Sequence, residues 1–218
     1  MDKEKFWNDL FSSKDKSSYY HELPSLEVIE VADLLNQNSS VLDLGCGMGK
    51  SPLYLAEKGF TVTAVDFSSV AIDNLYSECK RRGLEMQVIK QNLTRFRIDR
   101  NYDLIIAHGS LHFLNRRYWT KLITEMKEHT SKGGYNIITA FTDRILSPRD
   151  MEETLGDLFK EGELCDLYQS WQIIHWDSYI KKDEHPNNIK HEHPINKIVA
   201  RKISDNRSSY KLECHKEI

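Results

Sequence analysis

The sequence predicts an α/β chain: a doubly wound, mostly parallel sheet that ends in an antiparallel hairpin. Three observations predict it. Short apolar runs alternate with amphipathic stretches over residues 40–141, which implies right-handed crossovers and parallel strands. A glycine-rich turn within "VLDLGCGMGKS", residues 41–51, follows the first run, where open sheets bind their ligands. Beyond residue 170 the pattern changes to two longer runs facing each other across a polar connection. At 218 residues the chain is long enough for one well-buried domain and short for two. No linker or internal repeat divides it.

Residues 1–24 precede the sheet. There Phe6, Trp7 and Leu10 lie near helical spacing and read as the packing side of an amphipathic helix. The domain proper runs over 25–202. "SVLDLG" at 40–45, "TVTAVD" at 61–66, "MQVIKQ" at 86–91, "YDLIIAH" at 102–108 and "GYNIITAF" at 134–141 read as strands. Between the last two, Trp119, Leu122, Ile123 and Met126 repeat at helical spacing, and Gly133-Gly134 reads as the stop. Ser147-Pro148 reads as the cap and first turn of a helix reaching about Leu158. "SWQIIHWDSYI" at 170–180 and "IKHEHPINKIVARK" at 189–202 form the hairpin across "KKDEHPNN". Residues 203–218 are a polar, aperiodic tail.

The glycine turn must hold a ligand that its spacing allows. A Walker loop needs glycine at position 44, which is Leu44, and a dinucleotide fingerprint needs one at position 50, which is Lys50. What stands there is Asp43-x-Gly45-x-Gly47-x-Gly49. An acid leading into the loop suits a ligand carrying an amine and a sulfonium better than one that is mostly phosphate. The strand ends supply the remaining contacts. Asp66, with Phe67 beside it, lies about twenty residues past Gly45, where an acid can accept both ribose hydroxyls or cap the next helix. Asn92, followed by Leu93, either bonds an adenine edge or serves a turn, and His108 belongs beside the reactive end of the ligand.

The formal net charge of −3 gives no global basic field for nucleic acid. Cys46, Cys79, Cys165 and Cys214 form no C-x-x-C pair, which fits a reducing cytosol better than a disulfide framework. The first eleven residues lack the apolar core of a signal peptide, and no apolar run approaches the roughly 20 residues that span a bilayer. The expectation is a cytoplasmic monomer or homodimer with a small-molecule partner.

"VLDLGCGMG", then "VD", "NL", "YDLIIAHGSLHFL" and "KGGYNII" resemble the class I S-adenosylmethionine-dependent methyltransferases over about residues 35–141. The resemblance implies a Rossmann-like sheet of seven strands with the last antiparallel. It also implies Asp43, Gly45, Gly47 and Gly49 around the methionine moiety, Asp66 on the ribose and Asn92 at the adenine. Lids over this cofactor come from segments like 1–24, and Tyr19 or Tyr20 suits cation–π cover of the sulfonium. Of these the expectation takes Tyr20. "GGYNIITAFTD", "FKEGELCDLYQSW" and "IVARK" are similar to the bacterial tellurite-resistance methyltransferases over about residues 19–202. That group carries a histidine and arginine region near its last two strands. Here His185 stands at the histidine, Pro186 and Asn187 stand where an arginine is expected, and His191 and His193 are added.

Methyl transfer from a sulfonium releases a neutral thioether, so alignment and exclusion of water carry most of the rate. A phenol or amine acceptor wants a base. A thiolate, selenite or tellurite wants a cationic or hydrogen-bonding cradle. His108, His185, His191 and His193 suit either task, whereas His112 also reads as packing under the fourth strand's loop. His191 and His193 share one side of a strand, and without a placed cysteine or carboxylate, anion contact ranks above zinc. The expectation is a methyltransferase for tellurite, selenite or a thiol. The alternatives are an O- or N-methyltransferase of a small metabolite, or a non-catalytic S-adenosylmethionine-binding regulator.

Overall fold

The structure is a computed structural model that describes residues 2–13, 23–144, 153–184 and 190–203. In chain order the elements are α1 (Lys3–Ser13), α2 (Leu26–Leu34), β1 (Ser40–Leu44), α3 (Lys50–Glu57), β2 (Thr61–Asp66), α4 (Ser69–Arg82), β3 (Gln87–Lys90), β4 (Tyr102–His108), α5 (Arg116–Glu128), β5 (Thr130–Phe141), α6 (Glu163–Leu167), β6 (Gln172–Glu184) and β7 (Lys190–Arg201). A short 3-10 turn, Leu111–Phe113, follows β4. The seven strands form one sheet in the order β3-β2-β1-β4-β5-β7-β6. The first five strands are mutually parallel, and β7 runs antiparallel between β5 and β6. Strand order reverses between β1 and β4, which opens the crevice there.

Strand alternation divides the core into two layers. On β4, Ile105 and Ala107 face α5, while Leu104 and Ile106 face α2. The same parity continues on β5 (Ile138 against Ile137) and β7 (Ile198 against Val199). The first layer closes on Trp119, Leu122, Ile123 and Met126, the positions that helical spacing selects. The second closes on Val28, Val31 and Ala32 of α2.

Two boundaries differ from the sequence reading. Gly133-Gly134 does not end α5: the helix stops at Glu128, where the His129 N–H caps Glu125, and Thr130 already opens β5. Gly134 serves the sheet instead. A Cβ there would lie 2.7 Å from the Asp103 carbonyl oxygen, beside the register shift between Tyr102 and Leu104. The second difference is that residues 153–158 form a turn and an irregular segment rather than a helix reaching Leu158. Their backbone groups bond the loop after β4: Gly156 N–H to His112 O, Asp157 N–H to Leu114 O, and Asp157 O to the Trp119 indole. Ser147-Pro148 lies outside the described residues, as does the hairpin connection at 185–189. Cys46 and Cys79 carry free thiols, whereas Cys165 is disulfide-bonded, which departs from the reading of the cysteines. Among the described residues no helix is long and apolar enough to cross a membrane.

Candidate functional site

The loop after β1 is held against its neighbours by backbone contacts that a side chain would block. Gly45 has φ +78°, and a Cβ on it would sit 2.4 Å from Ser110 Cβ. The two loops can therefore meet only at glycine. Ser110 Oγ completes the contact by donating to Leu44 O at 2.6 Å. Gly45 and Cys46 both donate to Val65 O, which ties the turn to the end of β2. Asp66 finishes the wiring. Its Oδ2 accepts from Gly47 N–H and its Oδ1 from Ser68 N–H, each at 2.9 Å.

Asp66 is not the cap of α4. Ser68 is, through its Oγ to Ala71 N–H. Burial raises the Asp66 pKa, partly offset by the N–H groups of Ser68, Gly47 and Phe67. Each Asp66 oxygen keeps a lone pair for a ligand hydroxyl.

The strand ends enclose a cavity of about 540 Å³. It is lined by Asp43, Gly45, Gly47, Asp66, Phe67, Asn92, Leu93 and His108 among the residues expected for the cofactor. Asp43 is 4% exposed. No described residue donates a hydrogen bond to its carboxyl group. Burial, then the neighbouring Asp66, raises its pKa to about 8. A buried carboxyl without a partner in a cavity wall calls for a cation, and the ammonium of S-adenosylmethionine fits that need. Asn92 divides its side chain. Its Oδ1 accepts from Thr94 N–H and Oγ1, which makes the turn and leaves the amide nitrogen for a ligand. Gly49 lies behind the wall, as the left-handed cap of α3.

His108 ends β4 with its ring open to the cavity. Its Nδ1 lies 3.4 Å from Thr139 Oγ1. Desolvation by the surrounding protein lowers its pKa, opposed by Glu27 and reinforced by Lys197, Lys50 and Lys181. The ring is therefore neutral near pH 7.

The remaining histidines are placed differently. His112 is buried, its Nδ1 accepts from Phe141 N–H, and burial pushes its pKa down to about 3. It stacks on Phe141, and Phe141 stacks on His193 with ring centroids 4.6 Å apart. His193 is 5% exposed and does not line the cavity. The backbone of His191 pairs with Asp183 in the hairpin. His185 and Tyr20 lie outside the described residues. The structure thus brings His108 to the cofactor residues, whereas His193 is separated from the wall residue Phe113 by the stacked rings of His112 and Phe141. Among the described residues no three His, Cys, Asp or Glu side chains form a metal-binding group.

The first helix contributes more than packing. Trp7, read as a packing residue, lines the cavity, stacks on Phe11 and meets the Phe113 ring edge-on at 4.9 Å. Leu10, placed with it by spacing, is 37% exposed. Asn8 Oδ1 accepts from Ser68 Oγ and Val70 N–H, and Lys3 Nζ donates to Phe113 O. The helix so spans both rims. Phe113 and Tyr118 are further lining residues beyond the expected set. The signal that could have found Phe113 and Trp7 is an aromatic residue beside a strand end and another ahead of the sheet.

Known proteins share this sequence pattern and fold. The family described as tellurite resistance protein TehB matches residues 7–194. A probable S-adenosyl-L-methionine-dependent methyltransferase TehB from Haemophilus influenzae Rd is 33% identical over 188 residues, which is 84% of this chain and 63% of the relative. The crystal structure of TehB from Haemophilus influenzae superposes with a TM-score of 0.75 at 27% identity, over 92% of this chain and 67% of that one. The N-methyltransferase NodS from Bradyrhizobium japonicum, solved with S-adenosyl-L-homocysteine, shares the fold at a TM-score of 0.66 and 14% identity, over 92% and 99% of the two chains. The chain spans about 63% of the length of the curated TehB relatives. Sheet order, glycine turn and matched length together place this chain in the TehB tellurite resistance protein family.

Proposed function

We propose that the chain is a methyltransferase using S-adenosylmethionine, with a small soft nucleophile (tellurite, selenite or a thiol) as acceptor. The observation that carries this reading is Asp43, an unpaired buried carboxyl in a cavity whose other acid is wired to the glycine turn. When bound, S-adenosylmethionine supplies a methyl group activated on a sulfonium. Asp43 would hold its ammonium and Asp66 its ribose hydroxyls, with Asn92 and Leu93 at the base. Trp7, Phe11 and Phe113 would shield the site from water. His108 would meet the acceptor as a neutral imidazole able to accept a proton. His185, His191 and His193 complete the proposed acceptor side, with His193 acting from behind Phe141.

The relatives named TehB support this acceptor class through the family description. One feature favours a second reading. The depressed pKa of His108 also suits a general base for an oxygen or nitrogen acceptor. An acceptor screen tests both: tellurite, selenite, alkyl thiols, phenols and amines, with formation of S-adenosylhomocysteine as the readout. Turnover confined to phenols or amines would select the second reading. No turnover with any of them, despite tight S-adenosylhomocysteine binding, would leave a regulatory binding module.

A further inference from the structure

The antiparallel half of the sheet sets a polar row beside the cavity. Register aligns His108 of β4, Thr139 of β5 and Lys197 of β7 across the α2-facing side of the sheet. Neighbours in such a row lie about 4.5–5.5 Å apart. Above the row stands Glu27 of α2, with Oε1 2.6 Å from Lys197 Nζ. Glu27 is 7% exposed, and its Oε2 has no hydrogen-bond partner. Ser25 Oγ is also buried without a partner, although Ser25 lines the cavity. Serine at a helix N-cap ordinarily accepts from the second or third N–H of the helix. This one makes no side-chain cap. Its backbone carbonyl takes the Val28 and Ile29 N–H groups, so the hydroxyl is spare.

The Ser25 hydroxyl, two residues before Glu27 and on a residue of the cavity wall, is the orphan that a ligand can satisfy. Burial pushes the Glu27 carboxyl up, but Lys197, the Glu27 backbone N–H and, least of them, the nearby Ser25 hydroxyl outweigh it and bring its pKa below the usual carboxylate value. Ser25 and Glu27 come close enough for that influence without hydrogen-bonding geometry. A rotation of the hydroxyl toward Glu27 would commit its hydrogen and leave its lone pairs to the cavity. The wall then lacks only a donor.

We propose that Ser25, backed by the Glu27–Lys197 pair, recognises the methyl acceptor beside His108, and that it selects acceptors carrying an O–H or N–H donor next to the nucleophilic atom. Hydrogen selenite, hydrogen tellurite and aminothiols have such a donor; a simple alkyl thiolate has none. The inference rests on the methyl-transfer reading above.

Steady-state kinetics of the full chain with hydrogen selenite, 2-aminoethanethiol and ethanethiol test it, in wild type, Ser25→Ala and Ser25→Thr. Ser25→Ala should lower kcat/KM about tenfold for the first two acceptors and leave ethanethiol within about twofold. Ser25→Thr, which keeps the hydroxyl, should retain the preference, and S-adenosylhomocysteine affinity should not change in either variant. The wild-type rate with selenite should fall as the acceptor loses its own proton, and Ser25→Ala should flatten that limb. An equal loss for all three acceptors, or no loss, overturns the inference while methyl transfer stands. No wild-type turnover with any of the three overturns both.

Discussion

Under the proposed function, Asp43 couples ligand binding to protons. Its pKa near 8, set by burial and by Asp66, keeps it neutral at pH 7 in the ligand-free chain, and an arriving ammonium favours the ionised form. Binding of S-adenosylmethionine at pH 7 should therefore release a proton, read by calorimetry in two buffers of different ionisation enthalpy. Asp43→Asn should abolish the buffer dependence; an unchanged dependence would assign the proton elsewhere. The same shift carries a stability sign. The folded pKa lies above the unfolded value of about 3.9, so this contribution is present below that pH and lost as pH rises toward 8. Asp43→Asn should thus raise the melting temperature of the ligand-free protein at pH 8.5 and change it little at pH 4. His112 has the opposite sign. Its pKa of about 3, depressed by burial, lies below the unfolded value of about 6.5, so stability falls as pH drops through that window. His112→Phe should lose less melting temperature than wild type between pH 7.5 and pH 4.5. At Asp66, replacement by Ala should weaken S-adenosylhomocysteine binding by about 1.5–3 kcal/mol in calorimetry, the worth of charge-assisted hydrogen bonds. These acids were legible in the sequence because strand ends and glycine spacing name them. The orphaned hydroxyl of Ser25 was not, because a serine before a helix looks like a cap until its hydrogen bonds are counted.

Helix α1 shows how an element's role can exceed its periodicity. Helical spacing sorts Phe6, Trp7 and Leu10 onto one side, yet Leu10 is the exposed member and Phe11 the buried one. The deciding partners are distant in sequence: Ser68 for Asn8, and Phe113 for Lys3 and Trp7. The helix lies ahead of the sheet and supplies none of its strands. Deleting residues 1–20 should leave the melting transition cooperative while lowering methyl transfer at least tenfold. Full activity in the truncated protein would reduce α1 to a tether. The segment at 153–158 teaches the converse. A helix cap at Ser147-Pro148 predicts continuation to Leu158, but the loop after β4 offers backbone partners that compete with a helix there.

For the whole molecule, strand alternation and helical spacing placed the five parallel strands and the hairpin, because both layers of the core follow those periods. The stop of α5 was misplaced because a glycine pair marks either a helix end or a strand crowded by its neighbour, and only the register of β4 against β5 separates the two. Trp119 joins α5 to the sheet, stacks on Phe159 and is 1% exposed. Trp119→Ala should cost about 3–5 kcal/mol and lower the melting temperature by roughly 6–20 °C, measured by thermal denaturation. A drop of only a degree or two would mean that the layer repacks. The sheet also divides its labour along its width. The flank β3-β2-β1-β4 ends in loops that line the cavity, while β5-β7-β6 carries Thr139, Phe141, Lys197 and His193. The two flanks meet along one seam, between β4 and β5. Inheritance can then edit them separately: under the proposed function, mutations on the antiparallel flank would explore new acceptors while the wiring of the glycine turn stays untouched.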